Sequence, residues 1–92
     1  MQYLNLQRNK IGDAGLTALA KAVENGALAS LKYLILRENA IGDDGMRALA
    51  DACASGALAP GATVDLLANS ATATGKQAMR DAAKARGLSV YV

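Results

Sequence analysis

The sequence contains no histidine, tryptophan or phenylalanine, and these absences exclude several kinds of site. Without histidine, the chain lacks the side chain that most often serves as a general base and as a metal ligand near neutral pH. Its single cysteine, Cys53, permits no internal disulfide and is too little for a zinc site. Three tyrosines are the only aromatic residues, so the core is expected to be aliphatic. These features predict a protein without catalytic activity, cofactor or metal.

The chain also lacks a strong charge bias and a long apolar run. Ten basic and eight acidic residues give a net charge of +2, which is too small to indicate nucleic acid or a membrane as a partner. No run of about 18 apolar residues is present, and residues 1–9 contain no continuous apolar signal core. Together with the lone cysteine, this pattern favours a single cytoplasmic (intracellular) domain, residues 1–92, that binds neither nucleic acid nor membrane.

The most informative pattern is a repeat of 30 residues. Residues 3–32 and 33–62 are identical at sixteen of their thirty aligned positions. A third unit, residues 63–92, keeps the outline of the pattern but diverges in detail. Self-similarity at a fixed period predicts a solenoid, in which each unit packs against its neighbours. We therefore expect about three structural repeats in one domain.

Each unit combines a strand pattern with a helix pattern. In the second unit, residues 33–36 form a short apolar run bounded by polar residues, which predicts a strand. Asp43 follows a turn and is expected to cap the helix that begins beside it, as is Asp13 in the first unit. One predicted helix face carries apolar residues at i, i+3, i+4 and i+7: Met46, Leu49, Ala50 and Cys53. One strand and one helix per unit predict parallel strands joined by helices.

These units resemble the leucine-rich-repeat family. The second unit fits the pattern L-x-x-L-x-L-x-x-N-x-L from Leu31 onwards, and the first unit fits it with Met1 in the first position. The period and the Ile-Gly-Asp-x-Gly turn into a full helix resemble the ribonuclease-inhibitor-like class. The resemblance implies an α/β fold, a short horseshoe segment with a parallel β-sheet on the concave side and α-helices on the convex side. It covers nearly the whole chain, although the third unit departs from the pattern at Gly61 and Ala71.

An asparagine recurs just after each predicted strand, and the three are Asn9, Asn39 and Asn69. A side-chain amide in this place can bond backbone groups of its own turn and of adjacent turns. We therefore expect a structural ladder of buried amides in preference to a catalytic or ligand-binding set.

The predicted sheet also offers a surface for a protein partner, because partners of this family usually dock on the concave face. Strand alternation turns every second side chain away from the core. The predicted protein-binding residues are Tyr3, Asn5, Gln7, Tyr33, Ile35, Arg37, Asp65 and Leu67. The centre of this patch is predicted at Tyr33, Ile35 and Arg37, since tyrosine and arginine are common interface anchors. An ordinary solvated strand surface is the alternative interpretation.

The two ends of the array differ. Lys76 and Arg80 replace apolar or small residues of the earlier helices, and these charges are predicted to cap the array against a fourth unit. Residues 87–92 alternate in hydropathy and are expected to form a final edge strand that closes the sheet. The first predicted strand has no comparable cap. We expect the chain to be the C-terminal part of a longer array or to form a homodimer through this uncapped N-terminal edge.

The sequence as a whole predicts a non-catalytic protein–protein interaction module with a partner that it does not identify. Two alternatives stay open at this point. Related repeats occur in the activator of a nuclear-transport GTPase, so one alternative is a regulatory fragment that resembles a GTPase-activating protein, with Arg8 or Arg37 as its arginine finger. The other is a self-associating or engineered repeat scaffold.

Overall fold

The computed structural model describes residues 3–26 and 28–92 as alternating strands and helices. Each strand has three residues, and the four are β1 (Tyr3–Asn5), β2 (Tyr33–Ile35), β3 (Thr63–Asp65) and β4 (Ser89–Tyr91). The helices are α1 (Asp13–Glu24), α2 (Asp43–Ala54) and α3 (Ala73–Arg86). Met1, the predicted first apolar position of the first unit, lies outside the described residues.

The strands form one parallel sheet in the order β1-β2-β3-β4. The register of the first three strands follows the 30-residue offset, so that Tyr3 pairs with Tyr33 and Tyr33 with Thr63. The fourth strand departs from it, because Thr63 pairs with Ser89, only 26 residues further along the chain. Parallel neighbours need a crossover connection, and one helix lies between each pair of strands in the chain. The predicted last strand is present as β4, beside β3. The expectation that it closes the sheet is wrong, because β1 and β4 lie at opposite edges of an open sheet.

The core lies between the sheet and the helices and is aliphatic among the described residues, as expected. Leu34 and Val64 of the strands belong to one buried cluster with Leu49 and Met79 of the helices. Burying an aliphatic side chain of this size contributes about 1.5–3 kcal/mol. Because the strands are so short, this burial between sheet and helices contributes most of the fold's stability.

The first repeat is less well covered than the second. Four apolar residues of the first repeat are only half-buried: Leu4, Leu6, Ile11 and Leu19. Their counterparts in the second repeat are at most 1% exposed: Leu34, Leu36, Ile41 and Leu49. The second repeat packs between two neighbours, whereas the first has a described neighbour on one side only. The burial of equivalent residues therefore depends on their place in the array.

The third repeat has a different turn after its strand. In the first two turns, two residues adopt the left-handed backbone conformation, Arg8 and Lys10 in one and Glu38 and Ala40 in the other. In the third turn, only Ala68 does so. The N–H of Ser70 donates to the carbonyl oxygen of Ile41 at 2.8 Å. The divergence of the third unit in sequence is therefore matched by a local change of backbone.

Candidate functional site

One face of the sheet carries no helix among the residues that the structure describes. Successive strand residues point to opposite faces, and the central residue of each strand belongs to the core. The residues on either side of it point away from the helices. We call this surface the open sheet face, and it consists of two rows in register: Tyr3, Tyr33, Thr63 and Ser89, and then Asn5, Ile35, Asp65 and Tyr91.

All three aromatic residues of the chain lie on the open sheet face. Tyr3, Tyr33 and Tyr91 have 57%, 48% and 55% of their surface exposed. The rings of Tyr3 and Tyr33 lie 5.5 Å apart between centroids, with an angle of 44° between their planes. Offset and tilted arrangements of this kind are favourable for aromatic pairs. The tyrosines thus supply apolar contact area together with hydroxyl groups that can bond a partner.

Two ion pairs bridge neighbouring repeats beside the open sheet face. The guanidinium of Arg37 contacts Oδ2 of Asp65 through Nη2 at 3.0 Å and through Nε at 3.2 Å. Nε of Arg8 donates to Oε2 of Glu38 at 2.8 Å. This bond from Arg8 holds the pKa of the Glu38 carboxyl below its ordinary value. Exposed pairs stabilise a fold little, so their main effect is to fix the direction of the two arginines.

Asn5 and Asp65 shape the turns that follow their strands. Oδ1 of Asn5 accepts a hydrogen bond from the N–H of Gln7 at 2.9 Å, and Oδ1 of Asp65 accepts one from the N–H of Leu67 at 3.0 Å. Side chains of this type commonly bond the backbone two residues further on. Nε2 of Gln7 also donates to Oε1 of Glu38 at 3.4 Å. Part of the hydrogen-bonding capacity of these polar side chains is therefore already used by the turns that follow the strands.

The predicted binding residues fall into two groups. The open sheet face holds Tyr3, Asn5, Tyr33, Ile35 and Asp65, whereas Gln7, Arg37 and Leu67 follow the strands at its edge. Sequence reasoning missed Tyr91, which lies beside Asp65. The signal that could have found it is the alternation in residues 89–92, because pairing of Val90 with Val64 places Tyr91 on this face.

Asn39 links the first two repeats from inside the turn. Its Oδ1 accepts hydrogen bonds from the N–H groups of Asn9 at 2.7 Å and Ile11 at 3.2 Å. Its Nδ2 donates to the carbonyl oxygen of Leu6 at 2.8 Å. Asn69 makes equivalent bonds to the backbone of the second repeat. Asn39 is 1% exposed, whereas Asn9 is exposed. The amides of Asn39 and Asn69 are therefore engaged in holding repeats together.

Asp13 and Asp43 do not cap their own helices, which corrects the sequence prediction. The N-caps of α1 and α2 are Gly12 and Gly42, and neither helix has a side-chain cap from its own first turn. Oδ1 of Asp13 accepts instead from the N–H groups of Gly42 at 2.6 Å and Gly45 at 3.2 Å. Each aspartate thus bonds the orphan N–H groups at the start of the next repeat's helix.

Asp43 makes the same connection to the third repeat. Its carboxylate accepts from the hydroxyl of Thr72 at 2.6 Å and from the N–H of Gly75 at 3.2 Å. The bond from the Thr72 hydroxyl lowers the pKa of Asp43 below its ordinary value. A Cβ on Gly75 would lie 2.5 Å from Oδ1 of Asp43, and a Cβ on Gly45 would lie 2.8 Å from Oδ1 of Asp13. Both glycines are therefore required by the close approach of the preceding repeat.

A family model described as Leucine Rich repeat matches residues 1–20 and 27–50. The matched segments contain the strand, the asparagine turn and most of the helix in each of the first two units. The alternating strand–helix units and this match fit a short α/β leucine-rich-repeat solenoid. The predicted α/β architecture, with a parallel sheet on one side and helices on the other, is confirmed. Comparison with curated proteins and with solved structures finds no significant match.

The predicted cap residues lie on the last helix of the solenoid. Lys76 is half-buried and Arg80 is exposed on α3. Their counterparts on α2, Met46 and Ala50, are buried. Neither charge lies on the open sheet face, because both belong to the helix side of the molecule. They therefore form a separate feature from the candidate binding surface.

Cys53 lies in the core of the solenoid. Its side chain is fully buried, and burial raises the pKa of the thiol to about 11. A thiol with so high a pKa is a poor nucleophile near neutral pH. In residues 3–26 and 28–92, no cluster of three potential metal-ligating side chains occurs. No helix within those ranges has the length and apolar character needed to cross a membrane.

Proposed function

We propose that the protein is a non-catalytic module that binds a protein partner through the open sheet face. The observation that carries this proposal is the placement of every aromatic residue of the chain on that face, about half-exposed, while the core uses aliphatic residues. Tyrosine is enriched among residues that dominate binding energy at protein interfaces. Leucine-rich repeats also generally mediate protein–protein interaction.

The layout of the face defines the chemistry of the partner. Tyr33 lies at the centre, with Tyr3 and Ile35 as neighbours, and forms an apolar surface that a partner can cover. Arg8 and Arg37 lie beside it and are already paired with carboxylates. An apolar centre with a polar rim is the usual arrangement of a protein interface. We therefore propose a partner surface with apolar groups and hydrogen-bonding groups, and without a strong net charge.

We further propose that the chain forms the C-terminal part of a longer array of the ribonuclease-inhibitor-like class in the cytoplasm. The full helix in each unit supports the class. Ala73 occupies the position of Asp13 and Asp43, so the third repeat lacks the carboxylate with which each earlier repeat bonds the next. The charges of Lys76 and Arg80 support the same placement. A single buried thiol suits a reducing compartment.

The binding proposal is tested by substitutions on the two sides of the molecule. A binding protein selected with the chain as bait is purified, and its affinity is measured by calorimetry. We expect Tyr33→Ala to weaken binding by about tenfold or more. Arg47→Ala, at an exposed position on α2, is the matched control and should leave the affinity unchanged. Circular dichroism checks that both variants remain folded. Equal affinities for the two variants would contradict the assignment of the open sheet face.

The remaining alternatives give different results in direct assays. A self-associating scaffold would show a mass that rises with concentration in light scattering, and a homodimer would show twice the chain mass. A GTPase activator would accelerate GTP hydrolysis and lose that effect with Arg8→Ala or Arg37→Ala. Both arginines are held in ion pairs, so no observation favours either one as a finger.

A further inference from the structure

The side of the first repeat that faces away from the second is built like the surfaces that receive a repeat elsewhere in the chain. We call it the N-terminal face, and it consists of Leu4, Leu6, Asn9, Ile11, Gly12 and Gly15. The equivalent residues of the second repeat are Leu34, Leu36, Asn39, Ile41, Gly42 and Gly45. The first repeat covers that second set. The contacts that the first repeat makes with the second therefore show which groups a neighbour could place against the N-terminal face.

The first similarity between the N-terminal face and the equivalent surface of the second repeat is the asparagine amide. Asn39 reaches across the repeat interface to the N–H of Asn9 and the carbonyl oxygen of Leu6. Asn9 holds the same position in the first repeat, but it is exposed, and its side chain bonds no residue of the described ranges. Its acceptor and donor groups remain available on the N-terminal face for the backbone of another turn.

The second similarity is the pair of glycine N–H groups at the start of the helix. The N–H groups of Gly42 and Gly45 donate to Oδ1 of Asp13. The N–H groups of Gly12 and Gly15 meet no equivalent carboxylate within residues 3–26 and 28–92. Gly15 is exposed, whereas Gly45 is buried under the first repeat. The first helix thus offers the same two donors, at the positive end of its dipole, with the space for a carboxylate still open.

The third similarity is the set of apolar side chains. Leu4, Leu6 and Ile11 are half-buried, although their counterparts in the second repeat are fully covered. The outer edge of β1 also has no strand beside it among the described residues. A unit that pairs with β1 and lays a helix against α1 would bury all of these groups in one step.

We propose that the N-terminal face binds one further leucine-rich repeat with an aspartate at the position equivalent to Asp13, joined ahead of Tyr3 in the 30-residue register. The aspartate accepts hydrogen bonds from the N–H groups of Gly12 and Gly15. Asn9 bonds the backbone of the added turn, as Asn39 bonds that of the first repeat. This inference deepens the proposed array and does not depend on partner binding by the open sheet face.

A second copy of the chain does not supply this chemistry through its opposite end. Its third repeat has Ala73 in place of the aspartate, so it offers no carboxylate to the two glycine N–H groups. Lys76 and Arg80 stand where the second repeat has buried Met46 and Ala50. Stacking of one copy on another would therefore place charges against apolar residues.

The test is a chain of four repeats, made by inserting a duplicate of residues 3–32 directly ahead of Tyr3. We expect a higher urea midpoint than for the 92-residue chain. We also expect amide exchange at Gly12 and Gly15 to slow by about tenfold or more, because both N–H groups gain an acceptor. The change Asp13→Ala in the duplicate should remove this protection selectively. Circular dichroism confirms that each chain is folded.

A glycine substitution provides the matched control. In the 92-residue chain, Gly15→Ala should lower the urea midpoint much less than Gly45→Ala does. A Cβ on either glycine meets an isoleucine Cγ2 at about 3 Å, but only a Cβ on Gly45 also meets the carboxylate and the Cα of Asp13. In the chain of four repeats, Gly15→Ala should lower the midpoint as much as Gly45→Ala does, since a carboxylate now lies beside it. An equal effect of Gly15→Ala in both chains would overturn the proposal.

Two further results would also overturn it. One is rapid exchange at Gly12 and Gly15 in a folded chain of four repeats. The other is a dimer of the 92-residue chain that protects these two N–H groups, which would assign the N-terminal face to a second copy. Neither result changes the effect of Tyr33→Ala on partner affinity, so this inference and the binding proposal fail independently.

Discussion

The turns between strands and helices depend on individual residues in the left-handed backbone conformation. Arg8, Lys10, Glu38, Ala40 and Ala68 have φ values between 56° and 62°. In this conformation the Cβ approaches the carbonyl oxygen, at a cost of roughly 1–2 kcal/mol for a residue other than glycine. Arg8 and Glu38 also form an ion pair across the turns. Exposed Ala40 has no polar side-chain group that could offset this cost.

We expect Ala40→Gly to raise the free energy of unfolding by about 0.5–1 kcal/mol. Glycine removes the steric strain, and the gain is reduced by the greater backbone entropy of glycine in the unfolded chain. Urea denaturation measures the change. Ala18→Gly is the matched control, because Ala18 is exposed in the middle of α1 and the same substitution there should destabilise by about 1 kcal/mol. A similar loss for both variants would show that the turn stores no strain.

At the scale of elements, the interface between the first two repeats and that between the second and third each combine backbone pairing with one asparagine amide and one carboxylate. The sheet pairing continues past the short strands, since the N–H of Leu6 donates to the carbonyl oxygen of Ile35 at 2.8 Å. Beyond that bond, Asn39 joins the turns and Asp13 joins the helix starts of the first two repeats. These polar contacts fix the 30-residue register, while the apolar core supplies the area buried between repeats.

Asn39→Ala should therefore destabilise the fold by about 3 kcal/mol. The substitution leaves the N–H groups of Asn9 and Ile11 and the carbonyl oxygen of Leu6 without their partner, and unpaired groups in a part-buried interface are costly. Asn9→Ala is the control, because the Asn9 side chain is exposed, and its effect should stay within about 0.5 kcal/mol. Chemical denaturation of both variants checks the difference. Equal losses would mean that the buried amide bonds contribute little.

The carboxylate contact predicts a dependence of stability on pH. The pKa of Asp43 lies below its ordinary value of 3.8, chiefly because the Thr72 hydroxyl bonds the charged form. A group with a lowered pKa in the fold contributes stability that is complete above its unfolded pKa and is lost as the pH falls through the folded one. The wild-type chain should therefore lose stability below about pH 4. Asp43→Asn, which does not titrate, should show a shallower loss in the same range, measured by urea midpoints.

Much of this arrangement follows from sequence because the repeat is itself a strong signal. The strand and helix of each unit differ in hydrophobic period, and the 30-residue offset predicts which strand residues pair. The role of Asp13 and Asp43 does not follow from the sequence. Each carboxylate lies near two helix starts, that of its own repeat and that of the next repeat. Spacing alone therefore cannot say which helix receives the bond, and the prediction chose the nearer one.

The membership of the open sheet face is predictable only in part, for a related reason. Tyr3 and Tyr33 occupy the same position of aligned units, so one alignment places both. Tyr91 belongs to a strand that has no counterpart in the 30-residue alignment, so the alignment does not place it. Alternation places Val90 and Tyr91 on opposite faces of the strand. Which of the two faces the core is decided by the pairing of Val90 with Val64, a contact between distant parts of the chain.

For the whole molecule, the arrangement of repeats produces an uneven stability. Helix α1 packs against α2 and α2 against α3, whereas α1 and α3 do not touch within the part of the chain that the structure describes. In such an array, stability is close to a sum of repeat and interface contributions, so a repeat with fewer covered contacts opens more easily. The half-buried leucines of the first repeat identify it as less stable than the second.

We expect amide hydrogen exchange to reveal this gradient at Val23 and Cys53. The two residues occupy equivalent positions on α1 and α2, and both side chains are fully buried, so their local environments are matched. The protection factor of the Val23 N–H, which corrects for the different intrinsic exchange rates of valine and cysteine, should be lower by about tenfold or more, because opening the first repeat disrupts one interface and opening the second disrupts two. Equal protection factors would mean that the three repeats open as a single cooperative unit, and the exposure of the N-terminal face would then carry no local cost in stability.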